Sequence, residues 1–231
     1  MTQIRDKLQI IGTKVSETTE QYHRPSNSVQ LLAVSKRHSV EAIRDAYQAG
    51  QTAFGENYVQ ELVEKAEALI ALDSLSKIEW HFIGPLQSNK TKQIAAVASW
   101  VHTIDRFKIA QRLNNQRPDN LPPLSVCIQV NISEEISKSG VSVNEVAKLA
   151  QQISELSRLQ LRGLMVIPAP ETDFKKQRRA FAKVAALKET LNQSGYPLDT
   201  LSMGMSSDME AAIAEGATIV RIGTAIFGAR E

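Results

Sequence analysis

Eight times along this chain a run of strand-like residues gives way to a run with helical spacing, and that alternation restricts the fold more than any other feature. "VQLLAVSK" precedes a helix pattern from Ser39 to Ala49, with Ser39 placed to cap and Gly50 just past the end. "TAFGEN" precedes "YVQELVEKAEALIAL", "KIEWHFIG" precedes "NKTKQIAAVA", and "SWVHTI" precedes "DRFKIAQRLNN", where Asp105 is placed to cap. "PLSVCIQVNIS" leads through a polar loop into "VNEVAKLAQQISEL", and "LQLRGLMVI" leads into "TDFKKQRRAFAKVAALKETL" with Gly195 behind it. "LDTLSMG" leads into "SSDMEAAIAE", where Ser207 and Glu210 have capping-box spacing, and "ATIVRIG" leads into the short "TAIFG".

Strands that alternate with helices imply a parallel sheet. Eight such units in 231 residues match a (β/α)8 TIM barrel, whose usual length is roughly 250 residues. An open, doubly wound sheet is the competitor with the same alternation. No linker or shift in composition divides the chain, so the expectation is a single α/β domain over residues 1–231. Before the first strand, Ile4, Leu8, Ile11 and Val15 recur at helical spacing among charges. That is an extra amphipathic helix, packed under or beside the barrel, and not a signal peptide.

Charge and motif content exclude several classes of function. A net charge of +2 provides no basic field for nucleic acid or a membrane surface. No window has the apolar length of a bilayer span. Cys127 is the only cysteine, so an internal disulfide is excluded; it sits in "LSVCIQV" and reads as a core residue, consistent with a cytoplasmic location. The four histidines, His23, His38, His81 and His102, show no metal-ligand spacing with one another or with Cys127. Neither G-x-S-x-G nor G-x-G-x-x-G occurs. Trp80 and Trp100 read as core residues, and "KKQRR", Lys175 to Arg179, as the solvated face of a long helix.

In a (β/α)8 barrel, function sits at the C-terminal ends of the strands. Those ends carry Lys36, Asn57, Gly84, Asn131, Pro168, Gly204 and Gly223. Lysine is the side chain that forms a Schiff base with a carbonyl, and partial desolvation gives it a free amine near neutral pH. The plain alternative for Lys36 is a solvated rim lysine. The loops after strands seven and eight, "SMGMSSDMEAAI" and "RIGTAIFG", are small and rich in Gly, Ser and Thr, which suits a phosphate. Ser206, Gly223 and Thr224 are the candidates there; the alternative is that Ser206, Ser207 and Thr224 are ordinary caps. Arg221 lies in an otherwise apolar strand and needs a partner, either a carboxylate such as Asp208 or Glu210 or a ligand group.

The blocks "LLAVSK", "FGENYVQE", "WHFIGPLQSNK", "GLMVIPAP" and "LSMGMSSDMEAAIAEGATIVRIGTAIFGAR" resemble the pyridoxal phosphate homeostasis protein family, also called the proline-synthase co-transcribed homologue family. The resemblance runs from about Val29 to Arg230. It implies a barrel similar to the N-terminal domain of alanine racemase, of fold type III, that holds pyridoxal 5′-phosphate as an internal aldimine on Lys36. It places Asn57 near the cofactor ring, Arg221 at the pyridine nitrogen, and Ser206, Gly223 and Thr224 on the phosphate. His81 and Met165 would line the pocket, and Lys138 would be a second contact for cofactor exchange.

The resemblance also implies a carrier rather than a catalyst, with no catalytic residue assigned. A guanidinium at the pyridine nitrogen disfavours its protonation and weakens the electron sink. Racemases of this fold need a second acid–base group, in alanine racemase a tyrosine from another subunit that carries a β-rich second domain. With no room for such a domain after Arg230, none is expected, and Tyr22, Tyr47, Tyr58 and Tyr196 all lie in or beside helices. The expectation is a monomer that buffers or delivers the cofactor to apo-enzymes. The alternatives are a small racemase-like enzyme and a regulatory protein whose partner responds to cofactor occupancy.

Overall fold

The computed structural model describes residues 3–70, 77–133 and 139–228. Its strands are β1 (Gln30–Val34), β2 (Ala53–Glu56), β3 (Glu79–Phe82), β4 (Trp100–Ile104), β5 (Leu124–Asn131), β6 (Val141–Ser142), β7 (Leu159–Met165), β8 (Thr200–Ser202) and β9 (Ile219–Ile222). Its helices are α1 (Gln3–Gln21), α2 (Val40–Gln48), α3 (Val59–Ile70), α4 (Thr91–Val97), α5 (Phe107–Gln116), α6 (Val143–Ser154), α7 (Phe174–Gln193), α8 (Met209–Ala214) and α9 (Thr224–Phe227). The sheet runs β4-β3-β2-β1-β9-β8-β7-β5-β6 with every pairing parallel, and an additional β4–β5 ladder closes it. The closed barrel therefore has the eight strands read from the sequence. The open-sheet alternative is excluded by the closure. The short β6 lies outside the ring, paired only with β5, and was not anticipated in the polar loop.

Parallel strands are covered on both faces, so they read as near-continuous apolar runs. β5 illustrates this: Leu124 through Val130 are all buried. One strand face packs outward against the helices, in a cluster that includes Phe54, Phe82, Leu62, Ile94, Ile109 and Phe181, all fully buried. Burial of a side chain of that size stabilises by roughly 1.5–3 kcal/mol. The inward faces fill the barrel with two smaller apolar clusters. Leu32, Val34, Ala53, Ile83 and Ile219 form one; Trp100, Cys127 and Met165 form the other. Burial pushes the Cys127 thiol up to about 12, so it is an inert core residue.

Local signals explain the helix starts only in part. Ser39 caps α2, its hydroxyl accepting from the Ala42 N–H at 3.3 Å, and Asp173 caps α7 by accepting from the Lys176 N–H at 3.0 Å. Two expected caps are corrected. The N-cap of α5 is Arg106, not Asp105, whose carboxylate instead takes the Arg106 guanidinium at 2.7 and 2.8 Å. The N-cap of α8 is Asp208, not Ser207, and Glu210 accepts from the Tyr22 hydroxyl at 3.1 Å. α1 packs beside the barrel against α2, α8 and α9. Arg24, just after it, fixes that placement by donating to Ile213 O and Ala217 O at 3.0 and 2.6 Å. Among the described residues no helix is long and apolar enough to cross a membrane.

Candidate functional site

The C-terminal mouth of the barrel holds a cavity of about 310 Å³. Six of the residues singled out in the sequence line it: Lys36, Asn57, Ser206, Arg221, Gly223 and Thr224. They arrive from β1, β2, β8 and β9, strands adjacent in the ring.

Lys36 stands two residues beyond β1 and is half-buried. The chain turns sharply behind it: Arg37 has φ 62°, in the left-handed region that non-glycine residues seldom adopt. Glu61 of α3 holds that turn by accepting from the Arg37 N–H at 2.8 Å, and the Tyr58 hydroxyl accepts from Arg37 Nη2 at 3.3 Å. Burial would raise the Glu61 pKa, but the Arg37 N–H and Lys65 outweigh it and hold the carboxyl below its usual range. Lys65 also donates to Glu56 Oε1 at 2.8 Å and to the Ser35 carbonyl at 3.0 Å, and Ser35 Oγ donates to the same Glu56 oxygen at 2.7 Å. A buried ion cluster thus clamps α3 onto the tips of β1 and β2, directly behind Lys36. Burial raises the Glu56 carboxyl despite Lys65.

Asn57 lines the cavity with a buried Oδ1 that has no partner among the described residues. Its backbone is pressed against Gly84: a Cβ there would lie 1.9 Å from the Asn57 carbonyl oxygen. Only glycine permits that approach, and Thr103 Oγ1 holds the Gly84 carbonyl at 2.6 Å.

Arg221 is fully buried. Its Nη1 donates to the Ser202 carbonyl at 2.6 Å and to Ser202 Oγ at 2.9 Å, and Nη2 donates to the Val166 carbonyl at 2.9 Å. Among the described residues no carboxylate pairs with it; Asp208 acts only through space, and its carboxylate accepts from the Met205 N–H at 2.6 Å. The carboxylate pairing considered for Arg221 is therefore not what the structure holds. Burial pulls the guanidinium down to about 10, so it stays charged at neutral pH. Its Nε–H has no partner among the described residues, which leaves a donor for whatever occupies the cavity.

The loops after β8 and β9 bring backbone donors to the same mouth. The N–H groups of Ser206, Ser207 and Thr224 have no backbone acceptor among the described residues. Such a group of N–H donors suits an anion. An amine, a buried amide oxygen, a charged planar donor and an N–H cradle together suit a flat, anionic, carbonyl-bearing ligand.

Two expected pocket residues are elsewhere. His81 and Met165 are fully buried in the barrel interior and do not line the cavity. Their strands point them inward below the mouth, where His81 Nδ1 meets His102 Nε2 at 2.9 Å and Met165 packs on Trp100 and Cys127. Lys138 lies outside the described residues. The sequence reading missed His38, Ile83, Ile167 and Met205, which reach the cavity from loops. His38, stacked on Phe227 at 5.0 Å, had a signal in its position two residues past Lys36. A larger cavity of about 1040 Å³ adjoins this one along α7 and shares Ile167, Met205 and Ser207 with it, but it contains no Lys36-like amine at a strand tip.

The geometry defines a class: a (β/α)8 barrel with a lysine at the tip of its first strand. Residues 15–231 match the family model described as the alanine racemase N-terminal domain. The pyridoxal phosphate homeostasis protein of Vibrio alginolyticus is 57% identical over 231 residues, covering 100% of this chain and 99% of the relative. The protein of the same name from Escherichia coli K12 is 52% identical over 232 residues, covering 100% of this chain and 95% of the relative. The chain belongs to the pyridoxal phosphate homeostasis protein family, within the alanine racemase N-terminal-domain barrels. PipY of Synechococcus elongatus, solved with PLP bound, is similar at 36% identity and a TM-score of 0.83, over 97% of this chain and 100% of that one. Alanine racemase of Corynebacterium glutamicum shares the fold at 15% identity and a TM-score of 0.70, over 98% of this chain and 61% of that one.

Proposed function

We propose that this chain binds pyridoxal 5′-phosphate at the Lys36 cavity and buffers or delivers it, without turning over a substrate of its own. The observation that carries the reading is the convergence of Lys36, Asn57, Arg221, Ser206, Gly223 and Thr224 on one cavity. The residues present fit the group: a buried acceptor without a partner among the described residues, an uncommitted guanidinium N–H and a cradle of backbone N–H donors all belong to residues that line one cavity. The names of the relatives and the PLP bound to PipY support the same reading.

When bound, this cofactor supplies an aldehyde that condenses reversibly with a primary amine. Lys36 offers that amine from a turn that Glu61 and Tyr58 hold in place. Ser206, Gly223 and Thr224 would hold the phosphate through N–H and hydroxyl donors. Asn57 Oδ1 would accept from the ring's polar edge. Arg221 would donate to the ring nitrogen and, as a permanent cation, keep a proton off that atom. Such a site drives carbanion chemistry poorly.

Among the described residues the ionisable ones at the cavity wall are Lys36, His38 and Arg221, and no tyrosine is among them. A racemase needs two acid–base groups on opposite faces of its substrate, so His38 is the residue an enzymatic reading would have to use. The test is incubation of the loaded protein with each amino acid. No sustained turnover is expected, together with transfer of the cofactor to an apo-enzyme. Steady turnover that is lost in Lys36→Ala would overturn the carrier reading. We read the carrier as a cytoplasmic monomer with no bound nucleic acid, and light scattering at the expected monomer mass checks the oligomeric state.

A further inference from the structure

The barrel interior contains a row of polar side chains that the carrier reading does not use. Beginning at the pocket, Arg221 Nη1 donates to Ser202 Oγ at 2.9 Å. Ser202 Oγ meets His102 Nδ1 at 2.7 Å, and His102 Nε2 meets His81 Nδ1 at 2.9 Å. His81 Nε2 then faces Glu79 Oε2 at 3.3 Å, within ion-pair range though off hydrogen-bond alignment. Glu79 opens β3 at the opposite end of the barrel from the cavity, and its side chain is partly exposed. Ser202, His81 and His102 are completely buried.

The ends of this row fix its direction. A guanidinium only donates and a carboxylate only accepts. Burial lowers the pKa of both histidines and so favours their neutral forms, against Glu79 beside His81 and with His81 and Arg221 acting the same way on His102. Facing a carboxylate, His81 Nε2 must bear the proton, so its Nδ1 accepts. His102 Nε2 therefore donates and its Nδ1 accepts. The Ser202 hydroxyl donates to that nitrogen while its oxygen takes the Arg221 N–H. One ordering of protons satisfies the three hydrogen bonds from Arg221 to His81 and leaves the His81 Nε2–H facing the Glu79 carboxylate at 3.3 Å.

Glu79 is itself anchored. Trp100 Nε1 donates to its Oε1 at 2.8 Å and Gln30 Nε2 to its Oε2 at 3.1 Å. Trp100 stacks on the His81 ring, 5.5 Å between centroids and 5° from parallel. The row is thus packed as well as bonded, and buried networks of this kind polarise along their length.

We propose that Glu79, His81, His102 and Ser202 are positioning residues for Arg221, a polarised relay that fixes the guanidinium at the pocket and makes it respond to the charge at the foot of the barrel. The effect on the cofactor rests on the carrier reading above; the relay itself does not, and the tests separate the two.

Nitrogen-15 correlation spectra of the cofactor-free protein report the tautomers directly. His81 and His102 are expected as Nε2–H tautomers that stay neutral at neutral pH, and Glu79→Gln is expected to disturb His102 through His81. An Nδ1–H tautomer at either ring in the wild type would overturn the relay, whatever the protein binds. The second measurement is a binding cycle with pyridoxal 5′-phosphate, using Glu79→Gln, Ser202→Ala and the double variant. Each single variant is expected to weaken binding by about tenfold, the low end of what outer-shell substitutions cost elsewhere. The double variant should be no weaker than the worse single one, because both cut the same row. Effects that multiply independently, or an unchanged affinity in Glu79→Gln, would contradict transmission. If the wild type takes up no pyridoxal phosphate, the carrier reading falls and the spectra alone decide the relay.

Discussion

On the outer side of the β1 and β2 tips, Ser35, Glu56, Glu61 and Lys65 form a buried cluster in which full charges touch. Inside the barrel, Glu79 and Arg221 are also opposite charges, but three neutral side chains separate them. The outer cluster ends in itself: its lysine binds two carboxylates and a carbonyl within one small volume. The inner row has one end at the cavity and the other near solvent. A local ion cluster can only stiffen what it touches, here the turn that presents Lys36. A polarised row can carry the state of one end to the other.

The largest effect is expected on the outer side. Lys65→Met strands the Glu56 carboxylate without its cation, and removal of one partner of a buried pair costs about 3–5 kcal/mol. Denaturant unfolding should show that loss; a loss below 1 kcal/mol would mean that the cluster does not clamp α3. Next is Gly84→Ala, at the contact between the β2 and β3 tips. Its methyl group would overlap the Asn57 carbonyl, so a loss of roughly 2–3 kcal/mol is expected, with a weaker ligand site as the backbone yields. An unchanged melting curve and full ligand affinity would show that the tips are softer than described.

The two carboxylates should also respond to pH with opposite signs. The Glu79 carboxyl is held down at about 2 by His81, with Trp100 and Gln30 assisting, against an ordinary value of 4.5. A depressed pKa contributes stability above the unfolded value, lost as pH falls through the window from 4.5 to about 2. Glu79→Gln should therefore cost about 1 kcal/mol near neutral pH, allowing for solvent screening of the part-exposed group, and nothing at the acid end of that window. Burial raises the Glu56 pKa, so its contribution is fully present below the ordinary value of 4.5 and is lost as pH rises through the higher folded value. Glu56→Gln should flatten that decline. Curves of the same sign for both variants would erase the distinction between the two regions.

Barrel and pocket were legible to different degrees. The strands could be read because parallel strands, covered on both faces, leave long apolar runs. The lysine, the arginine and the small residues of the last two loops could be read because a barrel's ligands lie at strand ends. His81 and His102 could not be read as partners: they are 21 residues apart, and only the β3–β4 register that sets His81 beside Trp100 brings them together. Glu56 and Lys65 are likewise joined only by the docking of α3 on the strand tips. Asp105 and Ser207 had cap spacing, but Asp105 turned to Arg106 and the α8 start moved to Asp208. His38, Ile83, Ile167 and Met205 come from loops, where no periodicity announces which side chains face a cavity.

The most direct test of the central claim is the visible absorption spectrum of the purified protein with pyridoxal 5′-phosphate, before and after borohydride, followed by peptide mass mapping. A yellow band that borohydride bleaches is expected, with the reduced pyridoxyl group on the peptide carrying Lys36. A protein that gains no band, or a label on another lysine with Lys36 unmodified, would contradict it.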